Sequence, residues 1–188
     1  MQPSGKVLEA EFFARPALTV ARELLGKYLM REVDGHLQAA MISETEAYIG
    51  PHDKACHAFR GRTPRTSVMF GPPGVWYVYF IYGMHEMLNV VTDKAEYPSA
   101  VLIRAAGEWI GPGRLTRAMQ IDRGLNGMPA SRASGLWIED RGPITPRTKI
   151  LRTPRIGVAY AAEWAEKPYR FVLDSTKKAS RIKSSRAK

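Results

Sequence analysis

The sequence predicts an α+β fold, a single domain with a mainly antiparallel, curved β-sheet, flanking helices and a protruding β-hairpin. Several β-prone runs are joined by short turn signals, which is typical of antiparallel strands. Only two stretches have clear helical periodicity, and nothing resembles alternating βαβ units or a dinucleotide-binding glycine pattern. At 188 residues the chain is long enough to bury one substantial core.

The first elements follow from local signals. Residues 16–25 predict a helix, with Pro16 in the first turn and Gly26 ending it. Residues 27–33 predict a strand, and Asp34-Gly35 is a strong two-residue hairpin signal. The returning strand, residues 36–46, ends in an acidic motif.

The middle of the chain predicts the protruding hairpin. Residues 75–82 are eight consecutive β-prone residues, and residues 87–92 resume a strand after Gly83. The tip of this hairpin is expected between Tyr82 and Glu86. A further strand is expected over residues 100–105.

The last third of the chain has weaker signals. We expect a short helix at 114–121, a strand at 136–139, an irregular surface crossing at 141–155, a return to the core at 156–158 and a closing strand at 169–173. The domain is expected to span residues 1–174.

Basic residues are concentrated at the C-terminus. Six of them and no acid lie in residues 175–188, which predicts a disordered basic tail. The whole chain has a net charge of +10, and without those six the remaining 22 basic and 18 acidic residues leave +4. This charge favours a polyanion partner such as nucleic acid, although a solvated tail would account for it equally well.

No signal-peptide core and no apolar run of membrane-spanning length is present, so a cytoplasmic protein is expected. The single cysteine, Cys56, excludes an intrachain disulfide and is expected to be a small buried side chain. The four histidines and Cys56 have no recognised zinc spacing, so no metal or other cofactor is expected.

Two carboxylates and several rings are the candidates for chemistry. In an extended segment Glu44 and Glu46 point to the same face, where one could act as a general base. A pair of surface glutamates bonded to arginines would give the same pattern. Tyr77 and Tyr79 share a strand face, which suits either base stacking or ordinary core packing, whereas Tyr82 near a hairpin tip is hardest to explain as core.

The chain resembles the alkyladenine (3-methyladenine) DNA glycosylase family from about Leu8 to Leu173. The motifs that carry the resemblance, in order, are AEFF (10–13), ARELLG (21–26), SETEAY (43–48), HAFRGRTPR (57–65), WYVYFIYGM (76–84), LIRA (102–105), GPGRL (111–115), RIGV (155–158) and EWAEKP (163–168). Each is short, and their common order along the chain makes the combination specific.

The resemblance implies a set of roles at matching positions. Glu46, and not Glu44, would be the general base, and Arg104 with the backbone carbonyl of Ile156 would hold the attacking water. The remaining implied residues fall into two groups: a pocket for the base, formed by Tyr48, His57, Tyr79 and Asn89, and a DNA-contacting set, formed by Tyr82, Met84, His85, Arg65 and Arg114. In some relatives position 85 is tyrosine.

The implied activity is that of a monofunctional repair enzyme. It would act as a monomer on double-stranded DNA, flip a damaged purine out of the helix and hydrolyse its N-glycosidic bond with a water activated by glutamate. Two alternatives remain open from the residues. One is a helix-hairpin-helix glycosylase, to which the turn at 111–113 is suited, and the other is a basic nucleic-acid-binding module without enzymatic activity.

Overall fold

The computed structural model describes residues 5–143 and 149–174. The predicted tail (175–188) lies outside this part of the chain, as do residues 1–4 and 144–148 of the predicted domain. Within it, ten strands form one antiparallel sheet with three short α-helices, so the predicted α+β class is confirmed. No helix of the described segments is long and apolar enough to cross a membrane.

The bounds of the elements are as follows. The helices are α1 (Ala10–Phe13), α2 (Ala17–Leu24) and α3 (Pro112–Ala118). The strands are β1 (Lys6–Val7), β2 (Tyr28–Val33), β3 (His36–Tyr48), β4 (Trp76–Ile81), β5 (His85–Thr92), β6 (Ser99–Ala106), β7 (Trp109–Ile110), β8 (Leu136–Asp140), β9 (Ile150–Thr153) and β10 (Arg170–Leu173). Short 3₁₀ segments cover His57–Arg60, Ser67–Phe70, Arg123–Leu125, Arg132–Ser134 and Ala159–Trp164.

The sheet follows the order β1-β8-β2-β3-β6-β5-β4, and β10 joins β3 to β9. Strand β3 is the longest element, and its two halves pair with different strands. Its first half pairs with β2, and its second half pairs with β6 on one side and β10 on the other. The change comes at register shifts between Ile42 and Thr45, and a bulge of this kind bends a strand and re-aims its side chains.

The main core lies between the sheet and helix α2. Val20, Ala21 and Leu24 of α2 pack with Ile42 and Ile103 of the central strands, all of them completely buried. Thr45 points towards this helix, since its hydroxyl donates to the carbonyl of Ala21 at 2.8 Å. Because side chains alternate along a strand, its neighbours Glu44 and Glu46 point to the opposite face.

The structure confirms most of the predicted elements and corrects three. Helix α3 begins two residues earlier than expected, at Pro112, which occupies the first turn. The segment 141–155 is not wholly irregular, because Ile150–Thr153 forms β9, and Arg155 is buried rather than on the surface. Of the three residues expected to return to the core, Val158 is buried but Ile156 is half exposed.

Candidate active site

A cavity of about 390 Å³ opens on the face of the sheet opposite α2. Its volume is within the range of small-molecule sites. Strands β4, β5 and β6 form its floor, and loops from both halves of the chain form its rim. The residues predicted at the site that line it are Tyr48, His57, Arg65, Tyr79, Tyr82, Asn89, Arg104 and Ile156.

Glu46 lies directly behind this wall, fully buried in the second half of β3. Ile156 donates its backbone N–H to Oε1 at 2.8 Å, and the Tyr48 hydroxyl donates to Oε2 at 2.9 Å. The Arg104 guanidinium lies 3.3 Å from Oε1. Each of these three partners of the carboxylate also borders the cavity.

The pKa of Glu46 is raised above its ordinary value. Burial is the largest cause, and the nearby Glu44 adds to it, while Arg104, the Ile156 N–H and the Tyr48 hydroxyl act in the opposite direction. A carboxylate with a raised pKa is a better proton acceptor than an exposed one, which is what a general base needs.

Glu44 shares the face with Glu46, as predicted, but its surroundings differ. Its Oε1 accepts from Arg104 at 2.9 Å and from Arg170 at 2.6 Å. It is not the surface glutamate that the alternative interpretation required, since its side chain is 8% exposed. It is an ion-paired residue that fixes Arg104 between the two acids.

Aromatic rings form a large part of the cavity wall. The His57 ring stands edge-on to Tyr79 with centroids 4.6 Å apart, and its Nδ1 is 3.0 Å from the Tyr77 hydroxyl. Burial, followed by the charge of Arg65, lowers the pKa of His57 to about 4, so the ring is neutral near neutral pH. Burial likewise raises the pKa of Tyr77 to about 12.

Asn89 lies at the floor, as expected, and is almost fully buried. Its Nδ2 donates to the backbone carbonyls of Tyr77 and Met87, at 3.1 and 3.3 Å. The side-chain amide is therefore held by the strand pair that carries it, and it presents a fixed group to anything in the cavity.

The β4–β5 hairpin carries Tyr82 at its tip, beside the mouth of the cavity. The tyrosine is 76% exposed and has a left-handed backbone, φ 55°, followed by Gly83 with φ 66°. A tight hairpin turn favours asparagine or glycine at the first of these positions, because a large side chain is strained there. An exposed aromatic ring in a strained backbone conformation is characteristic of functional sites.

The other predicted DNA-contacting residues are not all part of the cavity. Met84 follows the tip and is 62% exposed, whereas His85 packs over α3 so closely that a Cβ on Gly113 would lie 2.6 Å from its Nδ1. Arg114 is exposed in the first turn of α3. Arg65 lies over the Tyr79 ring, with its guanidinium carbon 4.8 Å from the centroid, at the edge of the cavity.

Several residues that the structure places here were not predicted from the sequence to belong to the site. Tyr77 and Tyr160 both line the cavity, and Tyr160 donates its hydroxyl to the carbonyl of Ala55 at 3.3 Å. For Tyr77, the alternation with Tyr79 was a usable signal. For Tyr160 and for the buried pair Asp53–Arg155 no local pattern distinguishes a site residue from a surface one.

The sheet-rich architecture excludes a predominantly helical helix-hairpin-helix enzyme for the described part of the chain. The sequence matches the family model for methylpurine-DNA glycosylase over residues 11–110 and 107–177. It is also similar to proteins named "Putative 3-methyladenine DNA glycosylase" in several prokaryotes. These include relatives from Methanocella arvoryzae (50% identical; 88% of this chain, 91% of the relative), Myxococcus xanthus (49%; 89% and 91%) and an Anaeromyxobacter species (46%; 93% and 92%). With matches over nearly its whole length, the chain belongs to the methylpurine-DNA glycosylase family.

Proposed function

We propose that the protein is a DNA repair enzyme that excises alkylated or deaminated purines, 3-methyladenine among them, from double-stranded DNA. The observation that carries this proposal is the position of Glu46. Its buried, unusually basic carboxylate is held against the wall of a cavity lined by aromatic rings. Family membership supports the substrate class, and the name of the relatives supports 3-methyladenine.

The rings suit a purine that carries positive charge. Alkylation at a ring nitrogen makes the base cationic, and electron-rich faces attract cations. Tyr79, Tyr48 and neutral His57 supply rings that carry no positive charge of their own. Asn89, fixed at the floor, would clash with the exocyclic amine of normal guanine and so disfavour it.

In the proposed reaction, the oxygen of a water attacks C1′ of the sugar of the flipped nucleotide. Glu46 accepts the proton of that water, and the electron pair of the breaking C1′–N bond leaves with the base. Arg104 and the backbone of Ile156 border the carboxylate where this water would bind. The products are the free base and an abasic site, with the phosphodiester backbone intact.

We propose that Tyr82 fills the space that the flipped nucleotide leaves. Its exposed ring at the tip of a hairpin beside the cavity mouth supports this role. Three further exposed residues would contact the DNA backbone or groove: Met84 on the hairpin, Arg65 at the cavity rim and Arg114 in α3.

The decisive experiment compares Glu46→Gln with the wild type on duplexes that contain one lesion each: 3-methyladenine, 7-methylguanine, hypoxanthine or ethenoadenine. Removing the general base should slow release of the damaged nucleobase by about 10²-fold or more, while the variant still binds the lesion duplex. Glu139→Gln is the matched control, because it makes the same change at another buried glutamate that does not line the cavity. If Glu46→Gln released the nucleobase as fast as the wild type, Glu46 would not be the general base. If the wild type bound DNA but released no damaged nucleobase, a non-enzymatic DNA-binding module would be favoured.

A second experiment tests Tyr82. Tyr82→Ser should slow release from a paired lesion more than from a lesion placed in an unpaired site, because an unpaired nucleotide needs less help to leave the helix. If Tyr82→Ser slowed release equally on the two substrates, Tyr82 would not be the residue that fills the space left by the flipped nucleotide.

A further inference from the structure

Asp53 and Arg155 form a completely buried ion pair behind the cavity wall. Neither side chain is exposed to solvent, and two guanidinium nitrogens of Arg155 contact the two carboxylate oxygens of Asp53, at 2.5 and 2.8 Å. Asp53 lies in the turn after β3, and Arg155 follows β9. The two residues are 102 positions apart in sequence, so the pair joins distant parts of the chain.

The pair also ties together the backbone around it. Arg155 donates to the carbonyl of Ala47 at 2.9 Å and to that of Trp164 at 3.2 Å. Asp53 accepts from the backbone N–H groups of Ile49 and Ala55, at 3.2 and 3.0 Å. The end of β3, the turn after it and the 3₁₀ segment at the cavity rim are thus held at one point.

This point lies directly behind the two groups that donate to Glu46. Ile156, whose N–H donates to Oε1, is the residue after Arg155. Tyr48, whose hydroxyl donates to Oε2, has its ring 4.9 Å from the guanidinium carbon of Arg155. A shift of Arg155 would therefore move both donors.

A contribution to stability does not explain the arrangement well. Burying an ion pair costs desolvation that its attraction often only just offsets, and the Nε of Arg155 is buried without a hydrogen-bond partner. A bidentate guanidinium does, however, fix its neighbours in a defined geometry.

We propose that the Asp53–Arg155 pair is a positioning unit that keeps the Ile156 N–H and the Tyr48 hydroxyl aimed at the two carboxylate oxygens of Glu46. The proposal rests on the proposed role of Glu46 as the general base. Asp53 and Arg155 act through these two donors and do not themselves touch the substrate.

The expected consequence is a change in the pH dependence of base release. The ionisable groups that face Glu46 from the elements around it are Glu44, Tyr48, Tyr79, Arg104, Arg155 and Arg170, the last of which is its cross-strand partner on β10. The two hydrogen bonds from Ile156 and Tyr48 lower the pKa of Glu46, against the effect of burial. If both donors move away, that pKa rises further, and a higher pH is needed to ionise the base.

The test uses Arg155→Lys in the full-length protein, since lysine keeps the charge but not the bidentate geometry. Three quantities are measured: thermal stability, the Kd for a 3-methyladenine duplex and the single-turnover rate of base release across pH. We expect release at neutral pH to slow roughly tenfold or more with an unchanged Kd, since a displacement of about 1 Å at a site can cost about 10²-fold in rate. The rising limb of the pH–rate profile should move to higher pH, with part of the rate recovered there.

Arg31→Lys is the matched control. Arg31 also ties backbone segments together, by donating to the carbonyls of Met119, Gln120 and Gly135, but it lies away from the cavity. It should lower thermal stability without moving the pH limb. The double variant Asp53→Asn/Arg155→Gln removes both charges together, so that no unpaired charge is buried, and it should show the same pH shift as Arg155→Lys.

The results separate the two proposals. If Glu46→Gln is inactive but folded Arg155→Lys has the wild-type rate and pH limb, the positioning role alone is overturned. The same conclusion follows if the loss in Arg155→Lys matches that in Arg31→Lys at equal loss of stability. If Glu46→Gln releases base like the wild type, the assignment of Glu46 as the general base fails and the positioning role fails with it, while the excision activity itself stands.

Discussion

Two buried glutamates of this sheet have pKa values shifted in opposite directions: Glu46 lies on the central strand β3, and Glu139 lies on β8 beside the edge strand β1. Glu46 on β3 is 0% exposed and Glu139 on β8 is 2% exposed. Both accept hydrogen bonds from neighbouring groups, and both have an arginine beside them. Nevertheless the pKa of Glu46 is raised and that of Glu139 is lowered.

At Glu46 the effect of burial outweighs that of the donors, whereas at Glu139 the donors together outweigh burial. Burial works to raise the pKa of Glu139, but the indole N–H of Trp137, the Arg141 guanidinium and the backbone N–H of Gly5 outweigh it. Arg132 adds a further contact at 2.8 Å. Glu46 has fewer donors and a second carboxylate, Glu44, close by. The sheet edge therefore stabilises a charge, whereas the cavity leaves its carboxylate basic.

The other groups around the cavity follow the same trend. Burial raises the pKa values of Tyr48, Tyr77 and Tyr79 and lowers that of His57, so that each is shifted towards its neutral form. A wall of neutral rings with one basic carboxylate behind it is suited to a positively charged base. This contrast between the cavity and the sheet edge can be tested at single residues.

The largest expected effect is on stability at the sheet edge. Glu139→Gln removes the negative charge to which the Trp137 indole, the Gly5 N–H and the Arg141 guanidinium donate, and we expect a loss of about 3 kcal/mol in the free energy of unfolding. Glu46→Gln should lose much less, because a neutral group there no longer bears the cost of burying a charge. Denaturant unfolding of both variants measures the difference.

The comparison would fail if the two substitutions destabilised the protein equally. Release of base per folded molecule is the complementary measurement, since Glu139→Gln should retain it and Glu46→Gln should not.

The sequence predicted part of the fold and part of the candidate site. Asp34-Gly35 and the β-prone run before Tyr82 predicted both hairpins, because turn chemistry and strand propensity are local. Alternation placed Glu44 and Glu46 on one face, as the structure confirms through their shared contact with Arg104. The functional roles of the site residues came from the family resemblance and not from these patterns.

The misses have separate physical reasons, and the first is that burial of a charged residue depends on a distant partner. Arg155 lies in a segment rich in proline and basic residues, which is typical of a surface crossing, yet Asp53 buries it. The short strand β9 was missed because two of its four residues are exposed at an edge and give no alternation. Helix α3 was placed too late because Pro112 was assigned to the turn, although proline favours the first helical turn.

The second expected effect concerns His57 and the stability of the cavity wall at acid pH. Its pKa of about 4 in the folded protein is below the ordinary 6.5, so the folded state binds fewer protons than the unfolded state between these values. The free energy of unfolding should therefore fall as the pH drops from about 6.5 to about 4, by on the order of 1–3 kcal/mol. His57→Gln should lack this component.

The measurement is the difference between wild type and His57→Gln in free energy of unfolding at each pH, which removes the contribution of the carboxylates common to both. A difference that does not vary with pH would mean that the His57 ring is protonated as easily as a free histidine.

The third effect is kinetic. Tyr48→Phe keeps the ring in the cavity but removes the hydroxyl that donates to Glu46 at 2.9 Å. That hydrogen bond lowers the pKa of Glu46, so its loss should move the rising limb of the pH–rate profile upwards, by up to about one pH unit, or about 1.4 kcal/mol. Single-turnover release across pH measures the shift, and a limb that moves to lower pH would contradict the assignment of the limb to Glu46.

The smallest effect tests whether the donors of Glu139 are redundant. Arg132 is half exposed, and solvent-exposed ion pairs contribute about 0–1 kcal/mol. Arg132→Gln should therefore change stability by less than about 1 kcal/mol, because Trp137 still donates to the same carboxylate oxygen at 2.9 Å.

Arg104→Gln makes the same change beside Glu46, where Arg104 is the largest influence opposing burial. It should raise the pKa of Glu46 and slow release at neutral pH, while Arg132→Gln leaves release unchanged. Equal rates in the two variants would show that the cavity is as well supplied with donors as the sheet edge, and the contrast between the two glutamates would then have no kinetic consequence.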